Sequence, residues 1–184
     1  MRWIAIIFAA LLLAGTADAV KRHPYRREYV HATYGKRGWA GVGARAGLAQ
    51  VRRSPKQWGG GGAGFGKRLG SAAGTHIIKN SIQYGVAGLR HEDLHYHRSS
   101  KKQFGPRLKH ALVSTVVARK TTTGKKTVAA GRISGAMGSG AIASTWAPAA
   151  AGGAATGGIS LGATAATNVA REFWPRKKHK PHRH

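Results

Sequence analysis

One string in this 184-residue chain has the residue types and spacing for hydrolytic chemistry. His91-Glu92-Asp93-Leu94-His95 spells H-E-x-x-H. On a helix, residues four apart share a face, so two imidazoles would meet one zinc ion. Glu92 would then serve as general base toward a metal-activated water. The surroundings argue against that use. A metzincin-type continuation needs a glycine three residues after His95 and a third histidine three residues further on. Arg98 and Lys101 stand in those places. The other usual third ligand is a downstream glutamate, and Glu172 is the sole one. It sits in Ala170-Arg171-Glu172-Phe173, a pattern with no link to that role. His97 and His110 could supply a ligand only at an unfamiliar spacing. Arg90, Arg98, Lys101 and Lys102 would repel a dication. The competing reading is a polar loop after a helix, with Glu92 and Asp93 paired to the basic excess. The expectation is no catalytic residue, no cofactor and no metal centre, with His91 and His95 as the pair to check.

Other chemistries fare worse. There is no Cys, which excludes a disulfide scaffold and thiol or Fe–S redox chemistry. Five Asp and Glu leave little for paired-carboxylate catalysis or a Ser/His/Asp arrangement. The glycine runs lack the G-K-[ST] ending of a phosphate loop, so no nucleotide cofactor is expected. His179, His182 and His184 in the tail are at most weak copper or zinc ligands.

Charge is the dominant feature. The chain carries 31 Lys and Arg against 5 Asp and Glu, for a formal net charge of +26. The charge is uneven. Residues 20–60 hold ten Lys/Arg and one acid, and residues 61–127 hold thirteen and two. Residues 128–170 hold only Arg132, and residues 171–184 hold six and Glu172. A nearly uncharged block is therefore bracketed by basic ones.

Residues 1–19 read as a secretory signal peptide. Arg2 precedes an apolar run from Ile4 to Leu13, and Ala17-Asp18-Ala19 is a small-x-small cleavage site. The run is shorter than the ~20 residues of a membrane span. The expected location is outside the cytoplasm, in the periplasm or cell envelope.

Residues 20–61 read as a disordered basic arm, since no apolar period is sustained. Its aromatics are interleaved with cations: Tyr25, Tyr29, Tyr34, Trp39 and Trp58 among Arg26, Arg27, Lys36, Arg37, Arg52, Arg53 and Lys56. That mixture suits phosphates with stacked bases, and it suits anionic membrane headgroups. Arg176, Lys177 and Lys178 in the disordered tail, residues 176–184, extend the same polyanion-binding set. Gly59 to Gly62 reads as a hinge.

Residues 62–175 read as an all-α domain of about four helices. Gly62, Gly66, Gly70 and Gly74 recur every four residues, and Ser81, Gly85 and Gly88 continue that face. Glycine costs a helix ~1 kcal/mol against alanine. So many within residues 64–90 make sense only if another helix seats in the groove, in the same chain or in another copy. A second helix starts near Phe104, with Leu108, Ala111, Leu112, Thr115 and Val116 on one stripe and Arg119 and Lys120 at its C-terminal end. Thr121 to Lys126 is a turn with Gly124 as the stop. Pro148 splits the uncharged block into a helical hairpin. Gly131 and Gly135 mark the small face of one arm, and Gly158 and Gly162 that of the other; Pro175 ends it. Neither arm has the strongly apolar length of a typical span, so burial is favoured over membrane insertion.

Taken in order, Gly64-Phe65-Gly66-Lys67-Arg68-Leu69-Gly70, Tyr84-Gly85-Val86, His91-Glu92-Asp93, Ser114-Thr115 to Ala118-Arg119 and Ala170-Arg171-Glu172-Phe173-Trp174-Pro175 form a set. The set resembles an uncharacterised family of small exported bacterial proteins, over about residues 60–175. The resemblance implies export and one compact helical unit, and it transfers no activity.

The functional expectation is a non-enzymatic cationic envelope protein. It would associate with an anionic membrane surface or envelope polymer and self-pack, as a homo-oligomer, through its small-residue helices. The alternatives are an extracellular nucleic-acid or polyanion-binding protein and a zinc-dependent hydrolase using His91-Glu92-x-x-His95.

Overall fold

The computed structural model describes residues 25–147 and 153–174. Within them the protein is mostly helical: α1 (Arg26–Tyr34), α2 (Lys36–Val51), α3 (Gly61–Arg90), α4 (Phe104–Val116), α5 (Ala130–Ala143) and α6 (Gly153–Phe173). Three short strands, β1 (Glu92–Asp93), β2 (Val117–Lys120) and β3 (Lys126–Val128), form one antiparallel sheet in that order. The all-α reading of residues 62–175 holds, with α3, α4, α5 and α6 in the expected places. The expected signal peptide, residues 1–19, together with Pro148, Pro175 and the tail cations Arg176, Lys177 and Lys178, lies outside the described residues.

The long helix α3 is the spine. Helix α5 packs along it, α6 packs on α5, α4 packs on α6, and α2 covers another part of α3. The core is built mainly from alanine. Ala87, Ala111, Ala118, Ala129, Ala136 and Ala143 are buried, while Phe104, Ile159 and Trp174 are exposed. A core of this kind works by letting backbones approach, as in small-xxx-small packing.

That approach is closest where α5 meets α3. A methyl at Gly131 would stand 2.7 Å from the Gln83 carbonyl oxygen, and one at Gly135 would stand 2.8 Å from the Lys79 carbonyl oxygen. Ala87 packs against the same seam, and Gly138 faces Ile82. Gly85 and Gly88 are buried in α3. The other small-residue positions differ. Gly62, Gly66, Gly70, Gly158 and Gly162 have open space where a side chain would be, and Gly74 touches only Trp146, at 3.9 Å. The first glycine face of α3, expected to seat a helix of the same chain or of another copy, has none of the described residues against Gly62, Gly66 or Gly70; the seam within the chain lies further along, where Ala87 and the Gln83 backbone face α5. Gly135→Ala should cost about 1–3 kcal/mol through overpacking. Gly66→Ala and Gly70→Ala should each stabilise by roughly 0.5–1 kcal/mol through helix propensity. Urea denaturation of the three variants checks both signs.

Three further expectations are corrected. First, the arm is folded: α1 and α2 pack on α3. Tyr25 and Tyr84 form a buried cluster, joined by Tyr29, whose ring lies edge-on to Tyr84 at 5.8 Å. The Tyr29 hydroxyl hydrogen-bonds the Ser81 hydroxyl at 3.1 Å. Val42 and Ala46, four apart on α2, are buried. Second, the glycine hinge is pinned. Arg68, 2 % exposed, donates to the carbonyls of Ser54, Pro55 and Gly59 and to Gln50 Oε1. Third, α4 stops at Val116, and Arg119 and Lys120 belong to β2. The β-branched run Thr115-Val116-Val117 favours extended backbone, and Gly124, at φ +66°, supplies the left-handed turn residue of the hairpin.

Candidate functional site

The H-E-x-x-H string does not lie on one helix. Helix α3 ends at Arg90, and His91 takes the left-handed conformation at φ 54°. The His91 carbonyl accepts from the Thr121 backbone N–H at 2.8 Å, tying the helix end to the hairpin. Glu92 then enters β1 and turns inward, with a fully buried side chain. Its carboxylate accepts from Arg90 Nε at 2.7 Å, from Ala130 N at 3.2 Å and from Gly131 N at 2.9 Å. The last two are unsatisfied donors at the start of α5, whose own cap residue, Ala129, offers no side chain for them. An anion there also meets the positive end of the helix dipole. Glu92 is thus the cap of α5, supplied from β1, and it is not placed as a base toward a metal-bound water. His91 and His95 do not lie together on a helix, and no group of three metal-binding side chains forms among the described residues.

Glu172 has the same character. It is fully buried. It accepts from Tyr96 Oη at 2.7 Å, from Ser99 N at 3.1 Å and from Arg107 Nε at 2.9 Å. Arg107 also donates to the Glu172 carbonyl and lies over the Phe173 ring, 4.7 Å from its centroid. Burial alone would raise the carboxyl pKa. The Tyr96, Arg107 and Ser99 donors outweigh it and hold the group below its usual range. Burial, with the Glu172 bond and charge, pushes the Tyr96 phenol well above its ordinary value.

The two other acids among the described residues, Asp93 and Glu28, also face histidines. Asp93 Oδ1 accepts from His95 N at 2.8 Å and His95 Nδ1 at 3.1 Å, and Oδ2 accepts from His97 Nε2 at 2.7 Å. Burial works against the charged form of Asp93, and these histidine bonds reverse it, so its pKa falls. Glu28 Oε1 lies 3.7 Å from His95 Nε2. The positive side is different. Buried Arg68 and Arg132 are satisfied largely by carbonyls. Arg132 donates to Ser114, Val117 and Leu94 at 2.6, 3.5 and 2.8 Å. Half-buried Lys79 is pushed down to about 8 by burial, helped by the charge of Arg45. Burial likewise lowers His76 beside it.

The polyanion-binding set maps onto the surface of α1 and α2 and the loop after them. Arg26 and Arg27 are exposed in the first turn of α1, and Lys36 and Arg37 in the first turn of α2. Cations at these positive helix ends are electrostatically unfavourable in the isolated chain. Arg52, Arg53 and Lys56 are exposed, and Trp39 is 42 % exposed on α2. Trp58 is half-buried and lines a cleft of about 440 Å³ with Arg45, Arg68, Thr75, Ala147 and Ile159, with no carboxylate in its lining. Tyr25 and Tyr29 from the same arm are committed to packing.

The structure also assembles a group of residues that sequence reasoning did not join. Asp93, His95, His97, His110, Arg119, Lys126 and Arg132 surround a pocket of about 60 Å³ between β1, the sheet, α4 and α5. The alternation of His95 and His97 was the available signal. Their meeting with Arg119, Lys126 and Arg132 depends on the hairpin. No protein-family model, curated protein or solved structure matches this chain.

Proposed function

We propose that this is an exported, non-enzymatic cationic protein of the cell envelope that docks on anionic membrane surfaces or envelope polymers. The observation that carries the reading is the division of charge. Glu92 and Glu172 are buried as internal struts and Asp93 is saturated by histidines, while Arg26, Arg27, Lys36, Arg37, Arg52, Arg53 and Lys56 face outward. Little surface anion is left to oppose attraction to phosphate.

Exposed aromatics favour a membrane over a nucleic acid. Phe104 and Trp174 are 66 % and 70 % exposed, with Lys101 and Lys102 in the adjoining loop. Trp beside basic residues settles at headgroup depth. No helix of the described residues is long and apolar enough to cross a membrane, so the proposed mode is peripheral. The open glycine faces of α3 and α6 provide a surface for self-association. The resemblance to small exported proteins and the leading apolar run support export.

Sedimentation with lipid vesicles tests this reading. Strong binding to vesicles containing phosphatidylglycerol and little to pure phosphatidylcholine is expected, and equal binding to both would reject it. Trp39→Ala with Trp58→Ala separates the nucleic-acid alternative. If that pair weakens single-stranded DNA binding more than tenfold and leaves vesicle binding intact, the alternative replaces the proposal.

A further inference from the structure

We infer that the pocket between β1, the sheet, α4 and α5 is a seat for one tetrahedral oxyanion, a phosphate or sulfate group. The inference adds a defined pocket to the broader docking surface. Arg132 is 7 % exposed, lines the pocket, and is held in place by three carbonyls without a carboxylate in contact. A guanidinium fixed in this way is a preorganised anion donor. Arg119 and Lys126 are direct cross-strand partners in β2 and β3, and both line the same pocket. Like charges directly opposite each other destabilise a sheet. An oxyanion between them would relieve that repulsion. The volume of about 60 Å³ suits a single small ion and excludes a bulky ligand.

The single carboxylate in the lining, Asp93, is the cross-strand partner of Arg119 on β1 and leaves the three cations in excess. Both Asp93 oxygens are taken by His95 and His97. The His97 proton on Nε2 is given to Asp93, and the His110 proton on Nε2 is given to the His97 carbonyl at 2.8 Å. Each ring therefore has a second nitrogen outside these two bonds. The second nitrogen of His95 faces Glu28 at 3.7 Å instead.

The test is a titration with inorganic sulfate at fixed ionic strength and pH. It is read from the histidine ring resonances by NMR. One saturable site is expected, perturbing His97 and His110. Arg119→Gln with Lys126→Gln should weaken it tenfold or more; both positions are exposed, so the fold should survive. Parallel titrations with inorganic phosphate and with a soluble phosphate diester separate a free ion from a lipid or polymer group. Saturable binding of either supports the pocket. Absence of saturation, or unchanged affinity in the double variant, overturns it. So does zinc moving the same ring resonances when sulfate moves none. If sulfate binds as expected but anionic vesicles do not, the docking reading fails and the pocket stands. The reverse result removes the pocket alone.

Discussion

Glu172→Ala is expected to cost about 3–5 kcal/mol, the usual result of removing one partner from a buried ion pair. The carboxylate holds Tyr96, Ser99 and Arg107 at once, so it joins the end of α6 to the 96–99 loop and to α4. Its loss leaves three donors without their acceptor and frees Phe173 from the guanidinium above it. Small proteins have roughly 5–15 kcal/mol in hand. A fall in melting temperature of roughly 10 °C or more follows for a chain of this size. The pH dependence has a definite sign. A carboxyl whose folded pKa lies below its unfolded value stabilises the fold above the unfolded pKa. That contribution is lost as pH falls through the depressed folded value. Wild type should therefore lose stability in acid more steeply than Glu172→Ala. Thermal melts of both proteins from pH 7 to pH 3 measure it. Superimposable acid limbs would show that Glu172 is not the strut described.

The second large effect concerns binding. Replacing Arg26, Arg27, Lys36 and Arg37 with Gln should lower affinity for anionic vesicles by roughly 10³-fold. Each Lys or Arg near an anionic surface contributes on the order of 1 kcal/mol, and four are removed. The same change should leave the melting temperature equal or higher, because cations in a first helical turn oppose the helix dipole. Among the described residues no ion pair engages these four side chains, and all are exposed. Loss of binding without loss of stability is the signature of residues placed for an external anion. Loss of both together would mean that they serve the fold.

The large helices were legible because their signals are local. The four-residue spacing along residues 64–90 and the stripe from Phe104 to Val116 each specify a helix without reference to the rest. What failed needed knowledge of partners. In the arm, Tyr25, Tyr29 and Ala32 share a face, as do Val42 and Ala46, but most are small or amphipathic and give a weak period. They fold by covering α3. The hairpin was hidden because Arg119 and Lys120 also fit a helix C-terminus; pairing with Lys126–Val128 and Glu92–Asp93 decides the conformation. The glycine faces were visible, but which of them meets a neighbour depends on the placement of α5.

The candidate site was legible in part. The sequence reading had Glu92 and Asp93 paired with the basic excess without naming partners, and Glu92 meets Arg90 at 2.7 Å. That Glu92 caps a helix 38 residues away could not be read from spacing. Nor could the meeting of Asp93 and the histidines with Arg119, Lys126 and Arg132. Those contacts exist only once α3 has ended in a left-handed turn at His91 and turned the chain back toward the sheet.

The central claim is that outward cations, with the acids folded inward, drive attachment to anionic surfaces. A salt titration of binding to phosphatidylglycerol vesicles tests it most directly. The account predicts attachment at low ionic strength that weakens continuously as salt is raised, following the shortening Debye length from about 30 Å at 0.01 M to 10 Å at 0.1 M, with release by about 0.5 M. Attachment that is indifferent to salt over that range would contradict it.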